Sequence, residues 1–231
     1  MSVLQQIMQM VTFVTTLFLL AACDLGVPVE NQSEAGRQLE SIATPDDLLR
    51  AVATRNVDSV IQAFNEIDRM TYRARFLPTL EALWLRDRSI GQDLPWEVIN
   101  LPEVRLAIAN TLAQAHFNGQ RTDHIDSIHE YARQQLLSPN RDVAFASMTV
   151  IGWFNDADDV LELERLGQRD DLTRATTVTL NSMCVPEADS AVQRILANCS
   201  GHICSELEDA RTEMLAFKSR TGWCAGYTEV R

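Results

Sequence analysis

"LPEVRLAIANTLAQ", residues 101–114, is the stretch whose reading decides the fold. Val104, Ala107, Ile108, Thr111, Leu112 and then Ala115 recur at steps of three and four, the spacing that lines one side of an α-helix. Pro102 suits the first helical position, where a missing N–H leaves no bond unmade. The same spacing spreads outward along the chain. Val57, Val60, Ile61 and Phe64 form one stripe, Ile125, Ile128, Ala132 and Leu136 another, and Val143, Ala146, Ser147, Val150 and Ile151 a third. Further helices are expected over 157–166 and 172–183, after Pro186, and from Ser205, where Ser205-Glu206-Leu207-Glu208 fits a capping box. Thr44-Pro45-Asp46-Asp47 combines an N-cap, a first-turn proline and aspartates at the positive end of the helix dipole, and marks the start of the folded part. No stretch alternates as a strand does. The expectation is an all-α fold.

Composition agrees with one medium-sized domain or two small ones. The 231 residues are 46% hydrophobic and 23% charged, ordinary globular values, with aromatic content of only 6%. The net charge of −12 excludes a nucleic-acid partner, because phosphate contacts need clustered cations. It also excludes docking through a basic face onto anionic lipid.

The quoted stretch repeats. "NRDVAFASMTVIGW" (140–153) and "DDLTRATTVTLNSM" (170–183) follow the same pattern, with Val104, Val143 and Leu172 at one position, Ala107, Ala146 and Ala175 at a second, and Leu112, Ile151 and Leu180 at a third. A small alanine at a shared position lets two helices approach closely. These segments resemble HEAT-type repeats of the phycobilisome-lyase variety: "PEVRLAIANTL" is similar to that family's proline-acid-Val-Arg-x-x-Ala core, and "NDADDVLELERL" to its second-helix segment. The likeness covers about residues 101–197. It implies an α-solenoid of helical hairpins; an irregular antiparallel bundle is the alternative. Arg105 of the family pattern is replaced by Ala144 and Thr173 in the next two units.

At the other end, residues 1–22 carry no charged side chain, and "VTFVTTLFLLAA" has the length of a signal-peptide apolar core. It meets Leu20-Ala21-Ala22-Cys23, which resembles the lipobox of bacterial lipoproteins. The resemblance implies cleavage before Cys23, diacylglycerol on its thiol and acylation of the new amino terminus. It therefore implies a signal peptide at 1–22, a lipid-anchored tether at 23–43, and a helical domain at 44–231 facing the periplasm. Asp24 resembles the signal that retains lipoproteins in the inner membrane. Two or more acyl chains anchor stably where one is marginal.

Four further cysteines sit in the last quarter of the chain, an even count that reads as two disulfides in an exported protein. Cys184 and Cys199 end successive helices, so ~11 helical residues hold them roughly 16 Å apart. A disulfide needs Cα atoms within ~7 Å. Cys204 begins the next helix beside Cys199, and an antiparallel return brings Cys224 toward Cys184. The expected pairs are Cys199–Cys204 and Cys184–Cys224, fastening a terminal hairpin that has no further neighbour to cover it.

No catalytic, cofactor or metal site stands out. In "TDHIDSIHEYAR", Asp126, His129 and Glu130 share a helix face, but His124 diverges from them and no HExxH occurs; a solvated face opposite Ile128 and Ala132 is expected. Trp84, Trp96, Trp153 and Phe154 are interface anchors or, in preference, core. "NDADDVLELE" lacks the spacing of a calcium loop and reads as a capped helix start. The functional expectation is a lipid-anchored protein-binding scaffold in the cell envelope, with an unidentified envelope protein as partner. The alternatives are an envelope enzyme or enzyme subunit with a site in the solenoid groove, and a carrier of small molecules or peptides.

Overall fold

The computed structural model describes residues 42–68, 73–199 and 202–224. The signal peptide, Cys23, Asp24 and most of the tether lie outside the described residues. Within them the chain is all-helical, with no strand, in two compact units divided at residue 154/155. No helix among the described residues is long and apolar enough to cross a membrane.

The unit of residues 42–154 holds α1 (Pro45–Val52), α2 (Val57–Asp68), α3 (Leu77–Leu85), the single turn α4 (Trp96–Ile99), α5 (Pro102–Phe117), α6 (Ile125–Leu136) and α7 (Arg141–Phe154). Local chemistry sets the starts. Thr44 caps α1 through a full capping box, its Oγ1 accepting from the Asp47 amide while Asp47 Oδ2 accepts from the Thr44 amide at 2.8 Å. The Thr44 hydroxyl, with the amides of Thr44 and Ala43, holds the Asp47 carboxyl below its ordinary range. Asn56 Oδ1 accepts from Ser59 N at 2.9 Å and opens α2 in the same way. α2 buries Val60, Ala63, Phe64 and Ile67, so its inward stripe lies one step round from the expected one, with Val57 and Ile61 at its margin.

α5, the helix of the opening stretch, is the centre of this unit. Val104, Arg105, Leu106, Ile108, Ala109, Thr111, Leu112, Ala113, Gln114 and Ala115 are all buried. A helix covered on nearly every side is a core helix, and α2, α3, α6 and α7 all pack on it. Four of the polar contacts that bridge the stack span 42 or 43 residues. Asn110 Nδ2 donates to Asp68 Oδ2 at 2.7 Å, 42 residues back, and Trp153 Nε1 donates to Asn110 Oδ1 at 2.8 Å, 43 residues on. Asp123 N donates to Glu81 Oε1, 42 residues away, and Trp84 Nε1 to Ser127 Oγ, 43 away.

The unit of residues 155–224 holds α8 (Ala157–Gly167), α9 (Thr173–Ser182), α10 (Pro186–Asn198) and α11 (His202–Thr221). α8 packs on α10 and α9 on α11, with α9 also touching α8 and α10. Gly167 permits the α8–α10 approach: a Cβ there would stand 2.5 Å from Ile195 Cδ1. Arg194 spans the same pair of helices by a fork onto Glu164 at 2.6 and 2.8 Å, which draws the Glu164 carboxyl down. Asp156 caps α8, accepting from Asp158 N at 3.0 Å, so "NDADDVLELE" opens a helix. Two cysteine pairs stand at disulfide separation, Cys184 with Cys224 (Cα–Cα 5.3 Å) and Cys199 with Cys204 (5.9 Å).

Two expectations are corrected in register. α11 begins at His202, not Ser205, so that Cys204 of the Cys199–Cys204 pair falls in its first turn; Ser205 lies within the helix and is not its cap. Leu172 is the residue before α9, whereas Val104 and Val143 are the third residues of α5 and α7. The three equivalent residues are all buried, but the third repeat enters its helix later.

Candidate functional site

The most unusual chemistry in the unit of residues 42–154 gathers where α3 ends and α5 begins. Arg105 interrupts the apolar register of α5 and is only 7% exposed. Its guanidinium lies 4.2 Å from the centroid of the Trp84 ring and 5.2 Å from that of Tyr131, which meet edge to face at 5.4 Å. Nη1 and Nη2 both donate to the Trp84 carbonyl at 3.3 Å, whereas Nε is buried with no hydrogen-bond partner. Ser127 fixes the indole, accepting from Trp84 Nε1 at 3.0 Å and donating to the His124 carbonyl at 2.8 Å.

A buried arginine is usually matched by a carboxylate. Among the described residues no carboxylate is ion-paired with Arg105 or with Arg86, the neighbouring cation. Burial and then the Arg86 charge lower the Arg105 pKa, and burial raises that of Tyr131 against the pull of Arg105. Arg86 ends α3 in the left-handed region, at φ 60°, with its side chain exposed. The Arg105 cation is held through the π faces of its aromatic walls.

Apolar residues rim this positive end. Leu85 is 53% exposed, Leu101 38% and Leu137 67%. They belong to one end of the unit: Leu85 precedes Arg86, Leu101 precedes α5, and the turn after Leu137 is tied to α5 where Asn140 Nδ2 donates to Glu103 Oε1 at 3.2 Å. Exposed leucines around an arginine and a tyrosine have the composition of a binding hot spot.

Of the residues singled out in the sequence, Trp84 belongs to this site and the others are used otherwise. Trp84 and Trp96 are buried, and Trp153 is half-buried against Phe117 with ring centroids 5.3 Å apart. His129 stacks on Phe154 at 4.0 Å with the rings 7° from parallel, while Asp126 and Glu130 are exposed, the latter accepting from Gln134 Nε2 at 3.0 Å. His124 stands just before α6. The sequence offered one sign of the site it left unweighed, a charged residue set inside the apolar stripe of α5. Of its aromatic partners, 21 and 26 positions away, Trp84 was named as an anchor or core residue and Tyr131 was not. No family model, curated protein or solved structure matches the chain.

Proposed function

We propose that this chain is a lipid-anchored, periplasm-facing adaptor of the bacterial cell envelope, tethered through Cys23 and retained at the inner membrane by Asp24. Its helical domain is read as a solenoid of HEAT-like hairpins. Support for the solenoid comes from helices that pack on the next but one, α3 on α5, α5 on α7, α8 on α10 and α9 on α11. It comes also from the cross-helix hydrogen bonds at a step of 42 and 43 residues, which is the length of a HEAT repeat.

The observation that carries the binding role is the pair of guanidiniums, Arg86 and Arg105, with no carboxylate ion-paired to either among the described residues, at the end of the unit where Leu85, Leu101 and Leu137 are exposed. The complementary surface is a protein presenting an apolar side chain beside an acidic one. The exposed Arg86 supplies the first contact, the leucines the buried area, and Arg105 the positive potential behind them.

Photo-cross-linking in the native envelope tests this, with the photo-reactive side chain placed at residue 137. The expected result is one protein captured in near-stoichiometric yield and lost on Arg86→Glu. Capture of nothing but abundant envelope lipoproteins, unchanged by Arg86→Glu, would overturn the reading. The intact mass of the membrane-extracted chain tests the anchor: residues 1–22 absent and acyl chains present is the expected outcome.

A further inference from the structure

Among the twenty lysine and arginine side chains of this sequence, only residue 218 is a lysine. Every other cationic position is arginine, including the exposed ones where the two serve equally well. The single lysine does not lie at such a place. It projects from α11 into a cavity of about 190 Å3 walled by Leu180, Met183, Val185, Leu215 and the Cys184–Cys224 pair. Such a space holds roughly six water-sized groups.

Lys218 Nζ donates to the Met183 carbonyl just beyond the end of α9. That bond alone does not account for a lysine, since arginine supplies the same donor and more of them. What lysine adds is a proton that can leave. A guanidinium stays charged in proteins, whereas a desolvated ammonium yields a neutral amine with a free lone pair, the form that attacks carbonyl carbon.

The surroundings favour that form. Burial lowers the Lys218 pKa from its ordinary value to about 8, against the pull of Asp189. Asp189 is the charged group facing the amine from α10, and its carboxylate is already engaged by Arg211 of α11 at 2.7 Å. α9 brings only the Asn181 amide to the cavity, and the cystine wall does not titrate.

We propose that Lys218 captures carbonyl compounds, its ε-amine forming a reversible imine with a small aliphatic aldehyde or ketone whose hydrocarbon part lies against Leu180, Met183, Val185 and Leu215. The nitrogen lone pair forms the C–N bond as the C=O π pair moves onto oxygen. A proton passes from nitrogen to that oxygen, giving a carbinolamine. Loss of the hydroxyl with the second nitrogen proton, as water, leaves C=N. No oxidant or reductant takes part.

Because there is one lysine, the test is clean. The full, disulfide-intact chain is treated with butanal and cyanoborohydride at about pH 7.5, and alkylation of Lys218 is followed by peptide mapping. The expected rate saturates with butanal and exceeds that of the same chain, reduced and unfolded in urea, by at least about tenfold, because the amine is far less protonated. With cyanoborohydride in enough excess that imine formation limits, the rate should rise with pH through a midpoint near 8. A linear dependence on butanal, or a rate no greater than in the unfolded chain, overturns the proposal. Lys218→Arg keeps the donor to Met183 and should give no adduct in its peptide. Leu215→Asn, at a partly exposed wall position, should raise the half-saturating concentration severalfold; an unchanged value there removes the apolar seat and the proposal with it.

Discussion

The guanidinium of Arg105 lies against the ring of Trp84 and donates to the carbonyl of that same residue, so one tryptophan holds the cation by its face and by its backbone. The arrangement stabilises the charge without neutralising it. Removing the charge should therefore cost little. Arg105→Met keeps the apolar contacts and relieves the partnerless Nε but leaves the Trp84 carbonyl without its donor, and the net loss of unfolding free energy should stay below about 2 kcal/mol. Partner capture should fall. A loss above about 2 kcal/mol in denaturant unfolding would instead make Arg105 a structural residue.

Asn155 offers a second test at the head of the unit of residues 155–224. It is buried, sits at φ 53° and accepts from the Cys184 backbone amide through Oδ1. Asparagine is among the few residues that adopt this conformation readily. Asn155→Ala forfeits both the conformation and the acceptor and should destabilise by about 2–3 kcal/mol. Asn155→Gly forfeits only the acceptor and should cost visibly less. Equal losses in thermal unfolding would mean the left-handed backbone contributes nothing.

The approach of α8 to α10 depends on Gly167. Gly167→Ala drives a Cβ against Ile195 Cδ1 and should destabilise by about 1–3 kcal/mol, as overpacking does. Adding Ile195→Val deletes that methyl group and should return most of the loss. Additivity of the two changes would locate the strain elsewhere.

The cysteine pairs should differ in worth. Opening the Cys184–Cys224 link by serine replacement removes a closure of 40 residues and should cost about 4 kcal/mol, against about 2 for Cys199–Cys204, which closes only 5. Calorimetry on the two double variants gives the order directly.

Lys218 also ties stability to pH. Its folded pKa of about 8 lies below the ordinary 10.5, so between those values the unfolded chain binds the extra proton. Stability must then rise with pH across that window, and the penalty for burying the charged form is fully present below about pH 8. Compared with Lys218→Met, the parent should gain in urea-unfolding stability from pH 7.5 to 9.5. A flat difference would place the amine in ordinary solvent.

Much of the fold was legible because helix starts are local. Thr44, Pro102, Asp156 and Pro186 mark first turns using atoms within four residues, and the structure places helices at all of them. Ser205 misled for the opposite reason: its capping sequence is sound, but the helix starts three residues earlier, at His202. The site was less legible still. Arg105 announces itself as a charge in an apolar stripe, yet nothing near it in sequence names Trp84 or Tyr131. Lys218 is conspicuous by its rarity, but only the return of α11 along α9 puts it in a cavity.

That rarity governs how this protein can be found with others. Cross-linking reagents in general use are activated esters that join lysine to lysine, and here they meet a single, recessed amine. A complex built on Arg86, Leu101 and Leu137 could enter such maps through this one lysine alone, however stable it was. Its absence from them would carry little information about assembly. Carboxylate-directed or photochemical reagents are the ones to which this surface is visible.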